Sequence, residues 1–561
     1  MLEMRKVHTD TPTMMILSLR PRASIAVIST AHQRHAIVSI RSVLTTKCHR
    51  RFYDTPDRAQ ETTTGYVLPS SYGVRNDYED AGASQLKKRV EKDSLGQREV
   101  PASAYYGIQT QRAIENYPIS GYRAHPHLIL AMGMIKKAAA ISNHELKLLD
   151  ARRAGAIVRA SDEVIAGKLA DQFVVDVYQA GAGVSFHMNA NEVIANRAIE
   201  ILGGKRGDYS ICHPNDHVNF GQSTNDVFPT AMRLAALLLF DGVLDSLGML
   251  EQSFAKKGKA FDRILKSGRT HLMDAVPIRL GQEFSAYATA MRRCSVVLKQ
   301  SEELLGELGL GGSAVGTGVN THPKYQKLVV KHLSKISGRA LKPTDDLRYV
   351  MQSNLAMSVA SAALRNLALE LIRITNDLRL LSSGPNTGLG EISLPALQPG
   401  SSIMPGKINP VMAELTAMVG FQAVAADIAT AMAVQAGQLE LNVMMPAMAW
   451  NVLHSAEILK NTMRVLATKC VDGITANVER CRYYANATIA IVAALNPYVG
   501  YAAATEIAKE SIRTGRTVTE IALERKLLDE RTMREILDPV RMTEPAAPIA
   551  KARNKAARKA K

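Results

Sequence analysis

Residues 400–410 read GSSIMPGKINP, and from 411 the chain runs into an apolar stretch, VMAELTAMVGFQAVAADIATAMAVQ, that ends at Gln435. Gly400 and Gly406 open backbone angles closed to other residues, Pro405 restricts that freedom, and Asn409-Pro410 read as the N-cap and first position of the following helix. This short span carries two hydroxyls (Ser401, Ser402), a cation (Lys407) and an amide (Asn409), all beside the positive end of a helix dipole. Serine- and glycine-rich segments are usually plain surface turns. The combination here is suited to holding an anion and moving a proton.

Working outward, apolar residues recur at helical spacing over Phe228 to Leu265, Leu280 to Leu308, Leu347 to Leu381, Pro410 to Gln435 and Pro446 to Ile474. Each run is nearly free of internal Gly or Pro, and as helices they extend roughly 40 to 55 Å. Helices of that length cannot cover two apolar faces within one small domain, so an elongated all-α bundle that associates with copies of itself is expected. With 561 residues, 46% hydrophobic and 5% aromatic, the chain has material for several domains and a large aliphatic core. No run of membrane-spanning length is free of charged or polar residues, so no membrane partner is expected.

Three further stretches carry chemistry. GQSTNDVFPT, 221–230, sets Ser223, Thr224 and Asn225 ahead of a helical pattern with Pro229 in its expected first turn. By itself this reads as capping. GRTHLMDAVP, 268–277, places Thr270 and His271 before another long apolar run, where a histidine serves as readily in structure as in a site. GAGVSFHMNANE occupies 181–192. His213 and His217 in HPNDH have i, i+4 spacing, but Pro214 disfavours a helix through both, and they read as structural or as a peripheral anion site; no metal is expected. Gly316-Thr317-Gly318 lacks the strand–turn–helix context of a nucleotide fingerprint.

Taken together, these segments resemble the fumarase/aspartase superfamily from about Asp93 to about Pro545. The resemblance implies an elongated central helical bundle with smaller N- and C-terminal helical domains. It also implies a homotetramer whose active sites draw residues from three subunits. It makes Ser401 the catalytic base and pairs His271 with Glu414, while Lys407, Asn409 and Thr270 hold one substrate carboxylate and Ser223, Thr224 and Ser402 surround the other. Asn225 and His271 then contact an amino group. The segment REVPASAYYGIQTQRAIENYPISGYRAHP, from residue 98, and the QSTND motif resemble the ammonia-lyase branch, implying elimination of ammonia from L-aspartate to give fumarate, without cofactor. HPNDHVN and ELNV favour the hydratase alternative, malate to fumarate. A non-catalytic relative is the third reading, and the intact set of site residues speaks against it. Four positions depart from the ammonia-lyase pattern: Val184 for a threonine, His187 for an asparagine, Met273 for a glutamine and Met445 for a glutamate. A shifted amino-acid preference is the consequence to expect.

The formal charge of +17 is concentrated at the ends. Residues 1–53 hold nine Lys/Arg against two acids and residues 544–561 six against one, which leaves about +5 for the body and gives no reason to expect a nucleic-acid partner. Residues 1–92 are expected to be a disordered basic extension. Their Arg-rich, acid-poor composition suits a mitochondrial transit peptide or an over-long start, and the latter is preferred, with a cytoplasmic location. Expected domains are 93–223, 224–478 and 479–545, with a basic tail over 546–561. Five cysteines without CxxC spacing fit a reducing compartment.

Overall fold

The computed structural model of the chain describes residues 4–7, 14–17, 26–29, 87–179 and 181–549. Met1–Arg75 and Asn76–Lys561 form separate units. In the first, strands β1 (Met4–Val7), β2 (Met14–Leu17) and β3 (Ala26–Ser29) pair antiparallel in that order. Short apolar runs containing Ile16, Val27 and Ile28 favour extended backbone, and here the chain departs from the structureless extension expected. The rest of that expectation, and the basic tail from 550, lie outside the described residues.

The second unit begins with an antiparallel hairpin of β4 (Lys88–Asp93) and β5 (Gly96–Pro101), so ordered structure starts ahead of the boundary placed at 93. Helices α1 (Ile108–Asn116), α2 (Pro126–Glu145), α3 (Ala151–Ile165) and α4 (Val184–Ile201) follow. The long helices come next: α5 (Thr224–Ala260), α6 (Leu280–Leu305), then α7 (Tyr325–Ser337), α8 (Leu347–Gln352), α9 (Leu355–Leu381), α10 (Val411–Gln435) and α11 (Met445–Lys469). Helices α5, α6, α9, α10 and α11 pack neighbour against neighbour around a closed circuit, α11 returning to α5. Their buried residues, from Leu234 and Phe240 to Leu371, Leu378, Leu453 and Met463, join one apolar core. Helix α12 (Val478–Ala487) joins this core through Cys481, while the segments from α13 (Asn496–Val499) and α14 (Tyr501–Thr514) to α15 (Val518–Glu524) and α16 (Glu530–Ile536) enclose a second core that includes Ile491, Leu495, Ile507, Ile521 and Met533.

Helix α5 starts at Thr224, earlier than its apolar pattern, because Ser223 and Asp226 form a capping box; Pro229 therefore lies inside the helix and not in its first turn. The run from 347 is broken at Ser353-Asn354 into α8 and α9. By length and mean hydropathy, α5, α9 and α10 are each long enough and apolar enough to cross a membrane, against the sequence expectation. In α5 the apolar window is 78% buried within the protein, whereas in α10 it is 33% buried. Met418, Phe421, Ile428 and Met432 of α10 are each more than half exposed and lie along one stripe, an apolar face that its own chain leaves uncovered.

Between α5 and α6 runs the hairpin of β6 (Leu265–Thr270) and β7 (Met273–Arg279). Its root is held by ions. Lys266 Nζ lies 2.8 Å from Glu283 and 3.3 Å from Glu391, and Arg269 Nη1 donates to both oxygens of Glu391 at 3.0 Å. Lys266 and Glu391 are buried, and two cations face two carboxylates. On the other side, Thr488 Oγ1 donates to Ala275 O, and Arg279 donates to Thr543 and Glu544.

Removing one member of a buried, hydrogen-bonded ion cluster strands its partner. Arg269→Met is therefore expected to cost about 3 kcal/mol in denaturant unfolding, whereas Lys88→Met, from the exposed pair with Glu99, costs less than about 1 kcal/mol. His125, the N-cap of α2, accepts His127 N–H through Nδ1 and so needs a neutral ring. Burial pushes its pKa down to about 4, His127 adds to the effect, and Glu457 opposes it. The unfolded chain takes up this proton near pH 6.5, so the contribution is complete above 6.5 and is lost as pH falls through about 4, up to about 3 kcal/mol. The slope of unfolding free energy between those pH values should flatten in His125→Gln.

Candidate active site

The 400–410 loop closes on itself. Gly400 N–H donates to Lys407 O at 2.7 Å, and Asn409 Nδ2 donates to Gly400 O at 2.7 Å. A side chain at 400 would collide with the Lys407 carbonyl and the Asn409 amide, and Gly406 has φ +79°, so both positions require glycine. Asn409 is thus a clasp for the loop and not the helix cap expected; Pro410 occupies the N-cap position without a side-chain bond, and α10 begins at Val411. Ser401 Oγ accepts two backbone N–H groups, from Ile403 at 3.2 Å and Met404 at 3.0 Å. Two fixed donors on a hydroxyl oxygen favour its ionised form. Ser402 and Lys407 are exposed, and Lys407 forms no ion pair among the described residues.

Thr270 and His271 sit at the tip of the β6–β7 hairpin, separated from α6 by β7, where the sequence suggested a helix close behind them. Thr270 pairs with Met273 across a two-residue turn in which His271 (φ 56°) and Leu272 (φ 60°) are both left-handed. That geometry is usually given to Asn or Gly, and non-glycine residues hold it at about 1–2 kcal/mol each. Leu272 and Met273 are 72% and 70% exposed, so the strained tip presents apolar side chains to the outside.

The third group lies at the start of α5. Ser223 Oγ accepts Asn225 N–H, which leaves its own hydrogen free to donate. Thr224 Oγ1 lies 2.7 Å from His187 Nδ1, and Asn225 Nδ2 donates to Ala314 O at 2.7 Å. Asp226 is buried and accepts N–H groups of Ser223, Gly311 and Ser313, which pins the glycine-rich loop before α7 against the helix start. Gly316-Thr317-Gly318 belongs to this loop, outside any strand–turn–helix unit.

Within one chain, the structure brings Ser223, Thr224 and Asn225 together, and brings Ser401, Ser402, Lys407 and Asn409 together. Among the described residues, no hydrogen bond or ion pair joins these two groups to each other or to Thr270 and His271, nor His271 to Glu414, which stands in the first turn of α10. Sequence reasoning passed over Asp226 and Lys136. Both are buried charged residues in otherwise apolar helix faces, and that mismatch was the available signal. His213 and His217 bond to each other's segment, His213 N–H donating to His217 Nδ1, and serve the turn at Pro214–Val218. Among the described residues, no three His, Cys, Asp or Glu side chains gather in a metal-holding group.

Residues 96–425 match the family described as Lyase, and 491–544 match Fumarase C C-terminus. An aspartate ammonia-lyase of Bacillus subtilis is 49% identical over 461 residues, covering 82% of this chain and 97% of the relative. A class II fumarate hydratase of Halobacterium salinarum is also 49% identical, covering 81% and 97%. Among solved structures, the cobalt-bound fumarate lyase:delta crystallin of Brucella melitensis is 50% identical with a TM-score of 0.80, covering 82% of this chain and all of that one. Matched along both its bundle and its C-terminal helices, the chain belongs to the fumarase/aspartase superfamily of lyases.

Proposed function

We propose that the protein is an aspartate ammonia-lyase, converting L-aspartate reversibly to fumarate and ammonia. The observation that carries this reading is the pair of backbone N–H groups on Ser401 Oγ, which supports this serine as the base that removes a proton from C3. The electron pair moves into the adjacent carboxylate as a doubly charged aci-carboxylate, then returns to form the C2–C3 double bond as the C2–N bond breaks. The substrate ammonium leaves as neutral ammonia, and charge balances with the proton held on Ser401.

Stabilising the aci-carboxylate is the main task, and donors fixed in advance do it at least cost. Ser223 and Thr224 offer hydroxyls at the N-terminus of α5, and Ser402 offers another from the loop. Lys407, Asn409 and Thr270 hold the second carboxylate. Asn225 favours an amine over a hydroxyl as leaving group: its Nδ2 is committed to Ala314 O, so Oδ1 remains as an acceptor for an ammonium. His271, oriented by Glu414, faces the same group. The equal identity to a fumarate hydratase supports the second reading, hydration of fumarate to malate. A preference for a related amino acid is supported by Val184 and Met273, which put apolar side chains where the family pattern has polar ones.

The apolar stripe on α10 and the exposed hairpin tip support a homotetramer in which loop, hairpin and α5 of different copies meet. No step in this scheme draws on a cofactor or metal.

Fumarate absorbance followed in parallel from L-aspartate and L-malate tests the substrate, with the faster rate expected from L-aspartate. Ser401→Ala should lower kcat by about 10²–10⁴-fold with the oligomer intact; activity retained at the wild-type level would reassign the base. Ser401→Ala and His271→Ala proteins, each strongly impaired alone, should regain part of the wild-type rate when dissociated and reassembled together, and no recovery would mean that each site is built within a single subunit.

A further inference from the structure

Beneath Thr224 lies a buried chain of polar groups that the reaction scheme above does not use. Lys136, on α2, is fully buried. Its Nζ lies 2.6 Å from His187 Nε2, 3.0 Å from Asn219 Oδ1 and 2.9 Å from Gln222 Oε1. Both amides are held with their oxygens toward the lysine. Asn219 Nδ2 donates to Gln222 O, and Gln222 Nε2 donates to Val218 O. Three acceptors therefore face the three hydrogens of an ammonium.

A ring nitrogen that accepts from an ammonium carries no hydrogen of its own. The single hydrogen of neutral His187 is thus on Nδ1, which stands 2.7 Å from Thr224 Oγ1 and donates to it. The ring stays neutral because burial, and then the charge on Lys136, push its pKa down. With one lone pair of Oγ1 taken by the ring N–H, the O–H of Thr224 points away from the ring and is left to donate elsewhere.

We propose that Lys136 and His187 are positioning residues that fix the hydroxyl of Thr224 as a hydrogen-bond donor to a substrate carboxylate. The inference rests on the assignment of Thr224 to substrate binding. It has a built-in reversal. When Lys136 loses one proton to solvent, its amine can accept from His187 Nε2–H, Nδ1 becomes an acceptor, and the Thr224 O–H rotates inward to donate to it. Thr224 then presents a lone pair to the carboxylate and repels it.

Burial pulls Lys136 down from the ordinary lysine range, while the Asp226 carboxylate on α5 raises it; the same carboxylate also raises Tyr325 on α7. The reversal therefore belongs at a lower pH than an ordinary lysine would give. Asparagine, the residue of the family pattern at 187, could accept from Lys136 through oxygen and donate to Thr224 through nitrogen, and it has no second tautomer. His187 is what makes the direction of the hydroxyl titratable in this chain.

The experiment compares full-length wild type with His187→Asn in two ways. In calorimetric binding of succinate, a dicarboxylate without an ammonium, wild-type affinity should fall about tenfold or more from neutral to alkaline pH, while the variant holds a nearly level profile. In kinetics with L-aspartate, the same difference should appear in kcat/KM, with kcat falling as well as KM rising, because Thr224 is among the donors to the aci-carboxylate. The succinate measurement does not depend on turnover, so it decides this inference even if aspartate is not the substrate. Equal pH profiles of succinate affinity in the two proteins would overturn the proposal. Lys136→Met, if it folds, should bind succinate weakly at neutral pH already.

Discussion

Asp226 ties together most of what surrounds it. Its carboxylate accepts the N–H of Ser223, which closes the capping box, and those of Gly311 and Ser313, which hold the loop ahead of α7. Burial pushes its pKa up to about 6, and the three backbone donors and Lys136 pull in the opposite direction. A buried carboxylate survives only with such partners. Here the partners are the backbone of two segments that must meet, so satisfying one charge sets where α5 begins and where its first three side chains point. The carbonyl of Ala314, delivered by the same loop, then fixes the amide of Asn225.

The other two groups are built by a different economy. The β6–β7 hairpin is anchored at its root by the Lys266–Glu391–Arg269 cluster and strained at its tip, where two non-glycine residues take left-handed angles. The 400–410 loop is clasped by Asn409 and Gly400, and its serine oxygen is held by its own backbone. The loop closes on its own residues, whereas the hairpin is held from outside by Glu283, Glu391 and the C-terminal segment. Among the described residues, no hydrogen bond or ion pair ties either of them to the other or to the head of α5. The uncovered stripe on α10 follows the loop in sequence and is a contiguous apolar surface of the kind that marks an association site.

Much of this was legible in the residues. Four of the five long helices followed from apolar spacing to within about five residues at each end, because helices of that length carry a strong periodic signal, while the run from Leu347 hid the break at Ser353-Asn354 that starts α9 at Leu355. Their ends were less legible: α5 starts at a capping box before its apolar pattern does, and Asn409 spends its amide on Gly400 where its sequence position suggested a cap. The hairpin was missed because LKSGRTHLMDAVPIR has neither strict alternation nor the Asn-Gly turn of an ordinary two-residue hairpin. Residues that act through burial, Lys136 and Asp226, cannot be told from surface charges until the packing around them is seen.

The four departures from the family pattern also sort by physical kind once they are placed. Val184 heads α4 and is 41% exposed, and Met273 is at the hairpin tip; both replace a polar group at a surface with an apolar one, which costs the fold little and alters what the surface can bind. Met445 is buried at the start of α11, where an unpaired carboxylate would have needed a partner and a thioether needs only space. His187 alone is both buried and hydrogen-bonded on each ring nitrogen, to Lys136 on one side and Thr224 on the other. A change at that position passes through fixed geometry to a hydroxyl at the head of α5, whereas the other three act only by their own surface or volume.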